Sequence, residues 1–217
     1  MIRLDNASYT YAKGSGVSNV NITFGDDEFA FIIGPTGSGK TTLLRMIYMD
    51  LMPQVGKVVV DKYDSSKIKP RKIPYLRRKI GMVFQNYHLL EDRNLFDNIA
   101  LSLHVIGFSK NEIIDRVTES LEEVGLGGKE DRYPEELSGG EQQRACVARA
   151  LVKEPDIILA DEPTGNLDPV TSFELIKLFE GVNREGTAVI MASHDYNLIK
   201  GRGHRIVEIQ DGTVRQS

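Results

Sequence analysis

One cysteine in 217 residues has no partner for an intramolecular disulfide, so the chain is built for a reducing compartment, with the cytoplasm as the expected place. Long apolar runs are missing as well. The longest are about six residues, against the ~20 that a membrane span needs, and nothing behind Met1-Ile2-Arg3-Leu4-Asp5 reads as a targeting segment. Any membrane link is therefore expected through a partner. A basic excess is also lacking: the formal net charge is -4, which counts against general nucleic-acid binding, so affinity for phosphate must be local. Low-complexity composition is absent too. With 41% hydrophobic and 27% charged residues, the chain is an ordinary globular one, able to bury a substantial core in one domain.

What is present begins with Gly34, Pro35, Thr36, Gly37, Ser38, Gly39, Lys40 and Thr41, followed by Thr42. The stretch fits G-x-x-x-x-G-K-[ST], follows the apolar run Phe29 to Ile33 and leads into a helical pattern starting near Gly39 (Leu43, Leu44, Ile47). That is a phosphate-binding loop in its strand-loop-helix setting. Glycines let backbone N–H groups turn inward around phosphate oxygens, and the following helix adds its positive end. Lys40 would reach the β- and γ-phosphates, and the Thr41 hydroxyl would ligate Mg²⁺.

Around the loop, residues Ile2 to Tyr11 and Val17 to Phe24 read as antiparallel strands joined by a turn at Lys13 to Gly16. Tyr11 is either a sheet-edge aromatic or a platform for an adenine ring. Gly56 to Val60 reads as a strand. Lys67 to Lys79 carries seven cations and no acid, a solvated basic face or a surface near anionic lipid headgroups. Ile80 to Phe84 reads as a buried strand ending on Gln85. From 86 to 152 the periodicity turns helical, with Leu95, Phe96, Ile99 and Leu103 and then Ile113, Ile114, Val117, Leu121 and Val124; Ser109 and Glu112 make a capping box. Tyr87 to Leu90, at the entry of this insertion, is either core or a groove for a partner helix.

Leu137 to Gln142 closes the insertion. Ser138 and Glu141 form a second capping box, opening a helix through Ala150, and Gly139 and Gly140 behind the serine imply a close approach to that backbone. A helix N-terminus suits a phosphate. Cys146 is expected in the core, without a redox role. Ile157 to Ala160 is a buried strand delivering Asp161 and Glu162 at its C-terminal end, where carboxylates are costly unless they meet a cation or do chemistry; the first suits a Mg²⁺ shell and the second a base for water. Asp168-Pro169 starts a helix expected to turn Phe173, Ile176 and Phe179 inward. Thr187 to Ala192 is another strand, ending near His194, which is either structural or within reach of a terminal phosphate. A hairpin turns at Asp211-Gly212, and no appended domain is expected after it.

Gly34 to Thr41, Gln85, Leu137 to Gln142, Ile157 to Glu162, Asn166-Leu167-Asp168 and His194 resemble, in order and spacing, the nucleotide-binding domain of the ABC ATPases, over the whole chain. The resemblance implies an α/β P-loop NTPase fold with an antiparallel β-subdomain and an inserted helical subdomain, in one domain: core at 1–85 and 153–217, helical part at 86–152. It implies a Mg²⁺-dependent ATPase, with Tyr11 on adenine, Gln85 between metal and attacking water, Asp161 and Thr41 on the metal, Glu162 as base and His194 on the γ-phosphate. Ser138, Gly139, Gly140 and Glu141, with Asp168, would serve the nucleotide held by an opposite subunit in a head-to-tail homodimer. Within the family, Ile73 to Arg93 is most similar to the cell-division branch. This implies an integral membrane partner resembling FtsX, met around Tyr87 to Asp92 at the cytoplasmic face of the inner membrane, and control of peptidoglycan hydrolysis. The block from Ala160 to Asp168 is shared with lipoprotein-releasing and macrolide-exporting relatives, so transport stays as an alternative, as does a nucleotide-gated clamp with little turnover. Two departures stand out: Tyr48-Met49-Asp50 lacks a glycine common after the P-loop helix, and Thr36 replaces a more usual serine.

Overall fold

A computed structural model describes residues 1–215; the last two positions of the expected domain lie outside the described residues. Two sheets share one layer of core. The first is antiparallel, ordered β2-β1-β4-β5, from β1 (Ile2–Thr10), β2 (Gly16–Phe24), β4 (Val55–Val60) and β5 (Tyr63–Asp64). The second is ordered β10-β9-β3-β8-β7-β6. Its strands are β3 (Phe29–Ile33), β6 (Ile80–Phe84), β7 (Ile157–Asp161), β8 (Ala188–Ser193), β9 (Arg205–Gln210) and β10 (Thr213–Arg215), all parallel except the β9–β10 hairpin.

The parallel strands are short and apolar along their whole length because both faces are covered. Successive side chains alternate: Phe29, Phe31, Ile158, Ala160, Val189 and Met191 join one core, while Ala30, Ile32, Ile157, Leu159, Ile190 and Ala192 join the other. The second core holds the helix after the P-loop, α1 (Lys40–Ile47), against the antiparallel sheet. Into the first pack α3 (Leu95–Ile106), α4 (Lys110–Glu123), α5 (Gly139–Leu151) and α6 (Pro169–Arg184). A short α2 (Ile73–Arg78) precedes β6, and α7 (Tyr196–Ile199) follows β8.

Helix starts follow the sequence signals. Ser109 and Ser138 cap α4 and α5 in full capping boxes, and Asp168 caps α6 by accepting from Val170 N and Thr171 N; each such cap stabilises its helix by about 1 kcal/mol. One expectation fails. Ile176 and Phe179 are buried, but Phe173 is 45% exposed. The inward stripe of α6 runs through Ser172, Leu175, Ile176, Phe179 and Val182, which puts residue 173 about 100° away from Ser172 around the helix. There its ring instead carries the Lys177 ammonium and the Arg202 guanidinium, each 4.7 Å from its centroid. Met49, in the stretch that lacks the expected glycine, adopts a glycine-like backbone at φ 53 while its side chain is buried, a conformation that costs a non-glycine residue about 1 kcal/mol.

Candidate functional site

β6, β7, β8 and β3 are neighbours and point the same way, so their C-terminal ends form one edge. The sequence puts Gln85, the Asp161-Glu162 pair, His194 and the Gly34–Thr41 loop at those four ends. Lys40, 4% exposed, donates to the carbonyls of Gly34 (2.8 Å) and Pro35 (3.2 Å), and its Nζ lies 3.0 Å from Glu162 Oε1. The other Glu162 oxygen is 2.6 Å from His194 Nδ1. Glu162 itself adopts φ 47, a left-handed conformation uncommon for a non-glycine residue. Thr41 Oγ1 donates to Asp161 Oδ1 at 3.1 Å; burial pushes the Asp161 carboxyl above its ordinary range, and the Thr41 hydrogen bond works against that shift.

A cavity of about 390 Å³ at this edge is lined by Thr36, Gly37, Gly39, Lys40, Thr41, Thr42, Gln85, Asp161, Glu162 and His194, and also by Ser15 and Gly16. The last two were read from sequence only as a turn. Tyr11, next to that turn, stacks edge-on against Tyr9 and accepts a hydrogen bond from Arg45 at 3.3 Å. Gly34, Pro35 and Ser38 complete the loop.

The loop is braced from far away in sequence. A Cβ on Gly34 (φ 155) would sit 2.1 Å from the Ile209 carbonyl, and one on Gly39 (φ 111) would sit 2.4 Å from Val17 Cγ1. Gly212, in the β9–β10 turn, donates to Ser38 O and accepts from Ser18 N. Only glycine fits these approaches. The local motif signals the glycines but not the β9–β10 turn as their support.

Two observations show that the loop fits a phosphate group. The Ser38 hydroxyl is buried with no hydrogen-bond partner among the described residues. Among the helices of eight residues or more, α1 alone starts without a side-chain cap, so its first N–H groups have no side-chain acceptor. The Thr41–Asp161 pair also fits Mg²⁺. No group of three His, Cys, Asp or Glu side chains able to hold a metal occurs among the described residues, and Mg²⁺ is commonly held by one or two carboxylates together with substrate phosphates and water.

Ser138, Gly139, Gly140, Glu141 and Asp168 are not among the lining residues of this cavity. Ser138 Oγ accepts from Glu141 N, and the Glu141 carboxylate accepts in turn from Ser138 N. Lys129 and these Ser138 contacts hold that carboxyl down to about 2. The glycines have a reason inside the chain: a Cβ on Gly140 would meet Thr171 Cγ2 at 2.7 Å, and one on Gly139 would meet the Tyr87 hydroxyl at 3.0 Å. Cys146 is buried, and its Sγ donates to Tyr87 O at 3.0 Å. Arg149 donates to the carbonyls of Tyr87 and His88. Asn98, buried and unremarked in the sequence, staples the following loop by accepting from Leu90 N and donating to the carbonyls of Leu90, Arg93 and Asn94.

A strand-loop-helix phosphate cradle facing two acids and a histidine across parallel strand ends defines the class of nucleoside-triphosphate-hydrolysing P-loop domains. The ABC transporter family model matches residues 17–165, and the chain belongs to that family. It is an ATPase, taking ATP and Mg²⁺ and releasing ADP and phosphate. It is 45% identical over 99% of its length to the cell division ATP-binding protein FtsE of Mycobacterium tuberculosis, covering 94% of that protein, and 45% identical over 98% to the FtsE of Escherichia coli K12, covering 96%. The FtsE of Bacillus subtilis is 41% identical over 99% of the chain, with 94% covered. Among solved structures, the ATP-binding cassette MJ0796 in a dimeric post-hydrolysis state with ADP and phosphate superposes with a TM-score of 0.90. It is 35% identical, with 100% of this chain and 97% of that one aligned.

Proposed function

We propose that the chain is the ATPase subunit of a cell-division assembly. In this reading it closes as a head-to-tail homodimer on ATP and drives an integral membrane partner resembling FtsX, from the cytoplasmic face of the membrane, to control peptidoglycan hydrolysis. The observation that carries the chemistry is the row Lys40–Glu162–His194 at the mouth of the P-loop. Lys40, Ser38 and the backbone of Gly34 to Thr42 hold the phosphates, and Tyr11 meets the adenine. Glu162 accepts a proton from the attacking water, Gln85 orients that water, and His194 touches the γ-phosphate. Thr41, Asp161 and Gln85 would hold Mg²⁺, which would supply positive charge beside the phosphate oxygens. Ser138 to Glu141 and Asp168 serve the nucleotide of the second subunit. The core at 1–85 and 153–217 and the helical part at 86–152 act as two parts of one domain.

The partner meets the chain at Tyr87 to Asp92, where a groove of about 370 Å³ lies between Tyr87, His88, Leu89 and Glu91 on one side and Pro134, Glu135 and Gln142 on the other. Its position two residues beyond Gln85 supports this reading, because force at Tyr87 reaches the site through a backbone that α5 grips at residues 87 and 88. The test is recovery of the tagged Glu162→Gln protein from native membranes with ATP and Mg²⁺. An FtsX-like protein should co-purify and be lost on changing Tyr87 and Leu89 to aspartate. A different permease in its place would replace the division reading with transport. Hydrolysis at the normal rate by Glu162→Gln would remove the base from Glu162.

A further inference from the structure

Of the seven cations between Lys67 and Lys79, two are engaged inside the fold. Arg77 donates to Met49 O at 3.1 Å and lies 4.7 Å from the Tyr48 ring, and Lys79 binds Asp156 at 2.7 Å and Asp61 at 3.5 Å. The remaining five, Lys67, Lys69, Arg71, Lys72 and Arg78, make no ion pair among the described residues. All but Arg78 are exposed. Lys67 and Lys69 lead into the 3₁₀ turn Pro70–Lys72, which carries Arg71 and Lys72, and Arg78 ends α2. Helical spacing puts Arg71, Lys72, Tyr75 and Arg78 on one side, while Leu76 is buried and anchors the helix. Tyr75 is 50% exposed, with the Lys72 ammonium 5.0 Å and the Arg78 guanidinium 4.9 Å from its ring.

We propose that this face rests directly on an anionic lipid surface, with the cations on headgroup phosphates and Tyr75 at the depth that interfacial aromatics occupy. An unpaired cationic cluster around an exposed aromatic, on a chain of net charge -4, is a local device whose complement is a negatively charged layer. A nucleic acid would call for cations spread along a longer track than one turn and one short helix. The contact is separate from the protein partner proposed above and requires only lipid.

The chain contains no tryptophan, so Tyr75→Trp installs a single indole. The purified full chain is mixed with phosphatidylcholine vesicles containing none or about one-third phosphatidylglycerol and then floated; short duplex DNA serves as the competing polyanion. Flotation and a blue shift of the indole are expected only with the anionic vesicles, both lost at high salt. Each cation is worth about fivefold in partitioning, so Lys69→Gln/Arg71→Gln/Lys72→Gln should lower it by on the order of a hundredfold, with the basal ATPase rate retained. Equal flotation of parent and triple variant, equal binding to neutral vesicles, or tighter binding to duplex DNA than to the anionic vesicles overturns the proposal.

Discussion

Lys40 has one ammonium for two anions, the Glu162 carboxylate and the terminal phosphates of ATP. At 3.0 Å and with both side chains largely buried, the Lys40–Glu162 attraction is about 5 kcal/mol at an effective dielectric near 20. Desolvation of the two groups cancels much of this, leaving a net of about 2 kcal/mol. Glu162→Gln keeps the shape and one acceptor oxygen but removes the charge. Without nucleotide, the variant should melt roughly 4–8 °C below the parent, at about 2–4 °C per kcal/mol for a chain of this size. ATP no longer has to displace the pair, so its Kd should fall about thirtyfold, while turnover drops 10²–10⁴-fold, on the order of a general base's contribution. Thermal melts with and without ATP, titration with a fluorescent ATP analogue and phosphate release measure the three effects. A variant with unchanged nucleotide-free melting and a Kd within about twofold of the parent refutes the competition.

Three further outcomes follow from buried or closely packed groups. Burial pushes Lys153 from 10.5 down to about 8, so between those values the unfolded chain binds more protons and the folded chain gains stability as pH rises, by at most about 1.4 kcal/mol per pH unit. Denaturant melts should show this rise flattened in Lys153→Met, and a parent–variant difference independent of pH would contradict it. Gly140→Ala should destabilise by about 1–3 kcal/mol through its contact with Thr171; because Thr171 is tied to Asp168 by its hydroxyl, Thr171→Ser should restore part of the loss, and no recovery would mean that Thr171 is not the obstacle. The Cys146 thiol is pushed up to about 12 by burial, so a thiol reagent at neutral pH should label it only after unfolding; rapid labelling of the native protein would contradict the buried placement.

The strands, the capped helices and the row of chemistry-bearing residues were legible because each rests on local pattern: apolar runs of five or six, Ser-x-x-Glu boxes, acids at a strand end. The failures are of another kind. Phe173 fits a helical stripe as well as its neighbours do, and only the position of α6 on the sheet decides which residues turn inward. The 3₁₀ turn and α2 between residues 70 and 78 are too short for a period to emerge. Ser15 and Gly16 enter the site because β2 begins beside the P-loop, and Gly34 needs its missing side chain because of Ile209, some 175 residues further along. Distances between remote segments leave no periodic trace in the residues that keep them.

The brace behind the P-loop bears on the order of events during synthesis. β3 pairs with β8 and β9, so the strand that delivers the loop waits for residues 188–210 before it has either neighbour, and for Gly212 before its loop is tied. At about 5–20 residues per second on a ribosome, that wait lasts on the order of 10–35 s. During it, the most phosphate-hungry backbone in the protein stays untensioned and its cradle unfinished. A nucleotide that needs the braced loop would therefore bind after β8, β9 and the β9–β10 turn have taken their places beside β3.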